Sequence, residues 1–271
     1  MDPGLVGRAL VVVSMWSAVA HAEPAGLATT RIIYLAHDGI ELRPGATDSR
    51  QLTSSLVHHR VTIPPWTTSP QRWAETVACV QGVFAPFDVQ VTDEDPGDVA
   101  HVVAVVGGSP GLLGLPRSAA GMSPFRQDCS VIEHSIVFAF TDTLPDDART
   151  VCNVIAQEIG HSYGLDHVLL ASDPMSTKHA PIARAFANQD VSCGETEARP
   201  CGLPGATCRA TQNSYTLLGE RLGLVGDITS SANDPPDEVG CSASGRGSWG
   251  AVLLAVGIVV WRRRRFSWRL A

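Results

Sequence analysis

The sequence predicts an α/β (α+β) fold with a mixed, twisted sheet, a long central helix, and a loop-rich C-terminal subdomain with disulfides. Three observations predict it. Short β-branched segments alternate with a helical pattern in the first half of the chain, an acidic start and a glycine stop delimit a central helix, and three cysteines share a loop-rich stretch near the end. We therefore expect one domain with a sizeable core.

The first half alternates between strand and helix patterns. Residues 31–36 ("RIIYLA") are short and β-branched, which predicts a buried strand. The polar stretch that follows, as far as residue 69, contains prolines and glycine and is expected to be loop. Apolar side chains at helical spacing predict an amphipathic helix over 71–84. Residues 87–92 alternate between apolar and polar and 99–108 are mostly apolar, so we expect a half-buried strand and a fully buried one.

The second half contains the longest predicted helix. Residues 107–129 are rich in Gly, Pro and Ser and are expected to loop over the surface, and 134–140 ("HSIVFAF") predicts another strand. The acidic residues of 145–147 favour a helix start, because carboxylates stabilise the positive end of the helix dipole. Gly164 can end this helix in a left-handed conformation. A short helix is expected around 215–221.

The central stretch "IAQEIGHSYGLDHV" has the spacing of a metal site. On a helix, Gln157 and His161 lie one turn apart on the same face, so their side chains can bind one ion. Glu158, beside the first position, would reach a water that the metal activates. Gly164 then turns the chain, so that His167 can return as a third ligand.

The row "QEIGHSYGLDH" resembles the metzincin signature HExxHxxGxxH, and "SDPMST" places Met175 where metzincins of the matrixin branch have a methionine turn. The resemblance extends loosely over residues 31–175. It implies a metzincin-like domain with a long active-site helix and a Zn²⁺ cofactor. It also implies zinc ligation by His161 and His167, Glu158 as the general base, and a peptide or protein substrate.

The resemblance fails at Gln157, where the family has a histidine. The neutral amide oxygen is a poorer zinc donor than imidazole, so coordination there is expected to be weak. His37 and His179 are candidates for a compensating ligand, whereas His101 and His134 are expected to pack or form hydrogen bonds. Two functions follow: a zinc-dependent endopeptidase, or a catalytically inactive module that binds peptides or surface polymers. A metal-free scaffold is a further alternative.

Peptide recognition would use the edge of the sheet. A substrate of a metal peptidase of this type is expected to lie extended and add a strand to the sheet above the metal helix. The strand 134–140 and the glycine-rich loop before it are the expected walls of the cleft.

Both ends of the chain carry targeting patterns. Residues 1–22 combine one arginine, an apolar run and a small-x-small site, which predicts a secretory signal peptide. Residues 231–248 are expected to form a flexible linker that contains Cys241, and 249–271 join an apolar segment to an arginine cluster, which is typical of a membrane anchor. The metallopeptidase-like domain is then expected over 23–230.

The C-terminal order of cysteine, apolar segment and arginines resembles the MYXO-CTERM type of bacterial sorting signal. The resemblance implies export, processing near the sorting-signal cysteine Cys241, and retention at the cell surface or outer envelope of a Gram-negative bacterium, or release from it. The expected partners are the export and sorting machinery and, through the C-terminal segment, the membrane. A plain membrane anchor is the alternative.

Cysteine number and charge restrict the function further. Apart from Cys241, six cysteines remain, which suits three disulfides in an exported domain. The sequence does not choose among fifteen pairings, but we expect some pairing within Cys193, Cys201 and Cys208.

Residues 23–240 carry 13 Lys and Arg against 26 Asp and Glu, a net charge of −13. Phosphate backbones would repel such a domain, so nucleic-acid binding is not expected.

Overall fold

A computed structural model of the protein describes residues 30–178 and 182–226, all within one compact unit. The strands are β1 Ile32–Ala36, β2 Ile40–Pro44, β3 Thr53–Ser54, β4 Val61–Ile63, β5 Gln90–Thr92, β6 Val102–Val106, β7 Gly121–Met122, β8 Ile136–Ala139, β9 Val191–Ser192, β10 Cys201–Leu203, β11 Ala206–Arg209 and β12 Thr211–Gln212. The helices are α1 Pro70–Phe84, α2 Ala148–Ser162 and α3 Ser214–Leu222. The predicted mixed α/β (α+β) fold is confirmed.

The central sheet has the strand order β5-β1-β6-β8-β7. Its first four strands are parallel, and β7 pairs antiparallel with β8 at the edge. Side chains alternate between the two faces because successive residues of a strand point in opposite directions. In β6, Val102 and Ala104 pack in the core under the helices, while Val103 and Val105 pack in a second core on the other face. All residues of β6 are buried, as its apolar sequence predicts.

Two helices cover one face of the sheet and are joined covalently. Ser69 caps α1 by accepting from the backbone N–H of Arg72, and Pro70 is the first residue of the helix. The disulfide between Cys79 of α1 and Cys152 of α2 then connects the two helices across the core.

The segment between β1 and α1 is not the loop that its composition suggests. It contains a small sheet in which β2 pairs parallel with β3 and antiparallel with β4. Leu42 and Ile63 of this sheet are fully buried and close the second core. The prediction was wrong because these strands contain polar residues and are bounded by Pro and Gly, so no unbroken apolar run marks them.

The C-terminal part contains two short antiparallel pairs, β9 with β12 and the hairpin of β10 with β11, followed by α3. Two disulfides hold it: Cys193 pairs with Cys201, and Cys129 pairs with Cys208. All six expected cysteines are therefore paired, including one pair within the predicted cluster. The segment expected to loop between β6 and β8 also contributes β7.

Several predicted segments lie outside the described residues: the signal peptide 1–22, the linker 231–248 with the sorting-signal Cys241, and the anchor 249–271. Within residues 30–178 and 182–226, no helix has both the length and the apolar character that crossing a membrane requires.

Candidate metal centre

Helix α2 positions the first half of the site. Asp147 caps it, with its carboxylate accepting from Thr150 N at 2.8 Å, so the predicted acidic start is confirmed. Gln157 and His161 lie four residues apart on one face of this helix. Glu158 points towards the edge of the sheet, because a Cβ at Gly121 in β7 would lie 2.5 Å from its Oε1.

A glycine turn brings the second histidine to the first. Gly164 has φ +74°, and the backbone N–H groups of Gly164 and Leu165 donate to the carbonyls of His161 and Gly160 at 2.8 and 3.0 Å. This pair of bonds is a Schellman motif, which ends the helix and reverses the chain. The Nε2 atoms of His161 and His167 are consequently 3.1 Å apart.

The other ring nitrogens determine the tautomers of this pair. His161 Nδ1 lies 2.8 Å from the carbonyl of Leu165, and His167 Nδ1 lies 3.0 Å from Glu195 Oε1. A carbonyl or a carboxylate can only accept, so both Nδ1 atoms carry the proton in the neutral rings. Both Nε2 lone pairs then point at each other, an arrangement that is repulsive without a cation between them.

This donor set fits a zinc ion. Two nitrogen ligands of a tetrahedral zinc, each about 2.0–2.1 Å from it, would lie about 3.3 Å apart, close to the observed separation. Burial, and secondarily the neighbouring His167, lowers the pKa of His161 to about 4, which keeps its lone pair free near neutral pH. The Gln157 amide Nε2 is buried with no hydrogen-bond partner in the described part of the chain. Its carboxamide is therefore not committed to another group.

Glu158 has the environment of an unpaired acid. It is 7 % exposed and makes no hydrogen bond or ion pair among the described residues. Burial raises the pKa of its carboxyl to about 8. A nearby cation would lower that value again by favouring the carboxylate. The side chain is thus able to hold or release a proton near neutral pH.

A loop closed by the Cys193–Cys201 disulfide supports His167. Glu195, in this loop, accepts from His167 and from Arg199 Nη2 at 2.8 Å, and Arg199 also donates to buried Asp166 at 2.5 and 3.0 Å. The Arg199 hydrogen bond lowers the pKa of Glu195, which keeps it ionised. For Asp166, burial would raise the pKa, but hydrogen bonds from Arg199 and two backbone N–H groups outweigh it.

Asp166, His167 and Glu195 also lie close enough together to suggest a metal group of their own. Both carboxylates already contact the Arg199 guanidinium, whose positive charge takes the place that a cation would have. Asp166 with Cys193 and Cys201 is a similar cluster, but those two sulfur atoms form a disulfide and offer no thiolate. Among the described residues, the pair His161 and His167 is therefore the candidate metal position.

Met175 lies beneath the helix in a tight turn. Ser176 N donates to Asp173 O at 3.0 Å, and the Asp173 carboxylate accepts from Met175 N at 2.8 Å. Met175 is fully buried, and a Cβ at Gly160 would overlap its sulfur. Because Gly160 has no side chain, the methionine turn packs directly against α2, one residue before His161.

The remaining histidines do not supply a compensating ligand from the described residues. His37 stacks on Trp73 with ring centroids 3.8 Å apart. His101 is buried, with Nδ1 2.6 Å from Val99 O, and therefore forms a hydrogen bond as expected. His134 N donates to Thr30 at 3.3 Å, and its Nδ1 is buried without a partner. His179 lies outside the described residues.

A cavity of about 540 Å³ lies beside the helix at Gln157. Its walls come from α2, from the segment that leads into β7, from the segment after β8, and from the residues around the methionine turn; they include Ala120, Leu144, Val154 and Thr177. Glu158, His161 and His167 do not line it, so the cavity opens beside Gln157, one helical turn before His161.

Sequence reasoning did not identify Gly121, Gly160, Glu195 and Arg199. The glycines act by lacking a side chain at a contact that only folding creates. Glu195 and Arg199 give a faint signal, since they are four residues apart between two cysteines. Comparison with protein-family models and with curated proteins gives no match for this chain.

Proposed function

We propose that this protein is a zinc-dependent endopeptidase. The observation that carries the proposal is the 3.1 Å approach of His161 Nε2 to His167 Nε2, with both lone pairs directed at one point. An unpaired, buried Glu158 on the same helix supports it. The helix, glycine turn and methionine turn occur in the order that the resemblance to metzincins implies.

In the proposed mechanism His161 and His167 would hold the zinc ion, and the amide oxygen of Gln157 would be a weak third ligand. When bound, zinc would polarise the scissile carbonyl and stabilise the developing negative charge. Glu158 would accept a proton from the attacking water at its carboxylate and deliver it to the leaving amine. A carboxyl that is buried without a partner is suited to this transfer, since its affinity for a proton is not fixed by a salt bridge.

The proposed substrate is an extended peptide. β7 is a two-residue edge strand, and Glu158 lies against its face at Gly121, so a peptide paired with the outer edge of β7 would pass near the general base. The cavity beside Gln157 would then receive one of its side chains. β8 forms the wall behind β7, in the position expected for the strand 134–140.

Three disulfides suit a protein that folds outside the reducing cytoplasm. The proposal therefore includes a secreted or surface-anchored location, with the export and sorting machinery and the membrane as partners. The terminal segments on which the finer location depends lie outside the described residues.

The test uses the purified full chain. We expect about one zinc per chain by elemental analysis, cleavage of unfolded casein, and loss of cleavage with a chelator or with Glu158→Gln. The matched control is Glu94→Gln, which removes an exposed carboxylate and should cleave casein normally. Zinc-free protein without any cleavage would contradict the proposal.

One observation favours a second function, a non-catalytic peptide-binding module: Gln157 stands where a strong metal ligand would be. That function predicts peptide binding without cleavage, whatever the metal content. The casein experiment and the Glu158→Gln comparison separate the two functions, because only the enzyme depends on that carboxylate.

A further inference from the structure

The cavity beside Gln157 has a charge that contrasts with the rest of the chain. The protein carries a net charge of −7, yet the described lining of this cavity contains Arg117 and Arg184 and no carboxylate. Two cations without an anion, in an acidic protein, suggest that an anionic ligand completes the site.

Arg184 is the inner cation. Its Nη1 donates to the Ser176 carbonyl at 2.7 Å and its Nη2 donates to the Lys178 carbonyl. These bonds hold the guanidinium in place but leave its charge without an ion-pair partner among the described residues, and its Nε is buried without an acceptor. Burial lowers the pKa of the half-buried Arg184, and the negative charge of nearby Asp173 offsets this only in part, so an added anion would favour the charged guanidinium.

Arg117 is the outer cation. It is exposed and makes no hydrogen bond or ion pair within residues 30–178 and 182–226. Asp142, beside the cavity residue Thr143, is exposed and does not line the cavity. Three other nearby carboxylates have partners: Asp147 caps α2, Asp146 lies 3.5 Å from Arg72, and Asp173 accepts from backbone N–H groups in the methionine turn. None of them is free to turn into the cavity without breaking those contacts.

The cavity also has apolar walls, formed by Ala120, Leu144 and Val154. A glutamate side chain matches both features, since its methylene groups can contact these walls while its carboxylate meets a guanidinium. The volume of about 540 Å³ accommodates such a side chain easily.

We propose that this cavity is a specificity site for an acidic side chain, glutamate above all, of the peptide that lies along β7. The inference rests on the proposed function, because a cavity at this place selects a substrate only if a peptide passes the site. The two arginines would make it a site for acceptors. The proposed peptidase would therefore cleave acidic sequences in preference to basic or apolar ones.

Mapping of the cleavage sites tests this inference. With the zinc-loaded full chain and unfolded casein, mass spectrometry should show glutamate enriched about tenfold over leucine and lysine at one position beside the cut. Arg117→Gln and Arg184→Gln should each reduce this enrichment, and Arg117→Glu should shift it towards lysine. Arg149→Gln, an exposed arginine of α2 that does not line the cavity, should leave it unchanged. An apolar preference that none of these variants alters would overturn the inference.

A binding measurement tests the inference even if the chain cleaves no peptide. That result would contradict the proposed function. Fluorescein-labelled Gly-Ser octapeptides with one central Glu, Gln or Lys are titrated with the Glu158→Gln chain, and anisotropy is recorded. The Glu peptide should bind about tenfold more tightly than the Gln peptide, and the Arg117→Gln substitution should abolish the difference. Equal affinities, or no measurable binding of any peptide, would rule out an acidic subsite. Arg117 is exposed, so its substitution is not expected to affect folding.

Discussion

The imidazole of His167 depends on a single carboxylate for its tautomer. Glu195 accepts from Nδ1 at 3.0 Å, and Arg199 holds Glu195 in position at 2.8 Å. A carboxylate behind a ligating histidine makes that ligand more basic and fixes the orientation of its ring. In the proposed site Gln157 is a weak ligand, so the support that Glu195 gives to His167 would contribute a larger share of the zinc affinity.

Replacement of Glu195 should therefore weaken metal binding. We expect Glu195→Gln to reduce zinc affinity by about 10–100-fold, measured by competition with a chromophoric chelator. Glu197→Gln removes an exposed carboxylate from the same disulfide loop and should bind zinc normally. Equal affinity for the two variants would mean that Glu195 does not position His167.

Replacement of Gln157 by histidine should strengthen zinc binding. Gln157→His places an imidazole on the same face of α2 as His161, which adds a strong nitrogen donor. We expect zinc affinity to rise at least about tenfold, since even indirect support of a ligand has effects of that size. The same chelator competition measures it, and unchanged affinity would show that residue 157 does not face the ion.

At the scale of the elements, helix α2 packs closely against the methionine turn. Met175 is fully buried against the helix at Gly160. A methyl group at Gly160 would force the sulfur away, and packed interiors do not absorb such a shift freely. A change in the contact between Gly160 and Met175 should thus alter the free energy of unfolding.

Two glycine variants isolate this contact. Gly160→Ala should destabilise the protein by about 1–3 kcal/mol through overpacking. Gly82→Ala, in the exposed part of α1 where nothing lies within 4 Å, should stabilise it by about 0.5–1 kcal/mol, because alanine favours a helix. Urea denaturation measures both, and the same sign for the two variants would contradict the packing argument.

The predictability of each element depends on how local its pattern is. The apolar runs of β6 and β8 and the periodicity of α1 and α2 are sufficient, because an unbroken apolar run and a helical repeat can both be recognised without any partner segment. The small sheet β2–β4 was missed, since its strands depend on pairing with one another. The spacing of the ligands on α2 follows from helix geometry alone, whereas Glu195 lies 28 residues from His167 and reaches it only through folding.

At the scale of the whole molecule, two disulfides should separate stability from metal binding. The Cys79–Cys152 bond spans 73 residues and joins two helices in the core, whereas Cys193–Cys201 spans 8 residues and carries Glu195. In the chain-entropy description, closing the longer loop stabilises the fold more. The shorter loop acts mainly on the surroundings of one histidine.

The two double alanine variants should therefore differ in which property they lose, stability or zinc affinity. Removal of Cys79 and Cys152 should reduce the free energy of unfolding by about 4 kcal/mol, against about 2.5 kcal/mol for Cys193 and Cys201. Zinc affinity per folded chain should fall only in the second variant, because Glu195 and Arg199 lose their loop. Denaturation and chelator competition on each variant measure these effects, and identical profiles would contradict this division.

The short length of β7 also affects the association of one copy of the chain with another. The central sheet ends in strands of three and two residues, β5 and β7. Long, exposed sheet edges invite pairing with a second copy and lead to aggregation, and short ones discourage it. A neighbouring sheet would gain little from two residues of backbone, whereas a peptide that also fills the adjoining cavity gains more. On the proposed function, this edge would discriminate against self-association and still accept a single extended peptide.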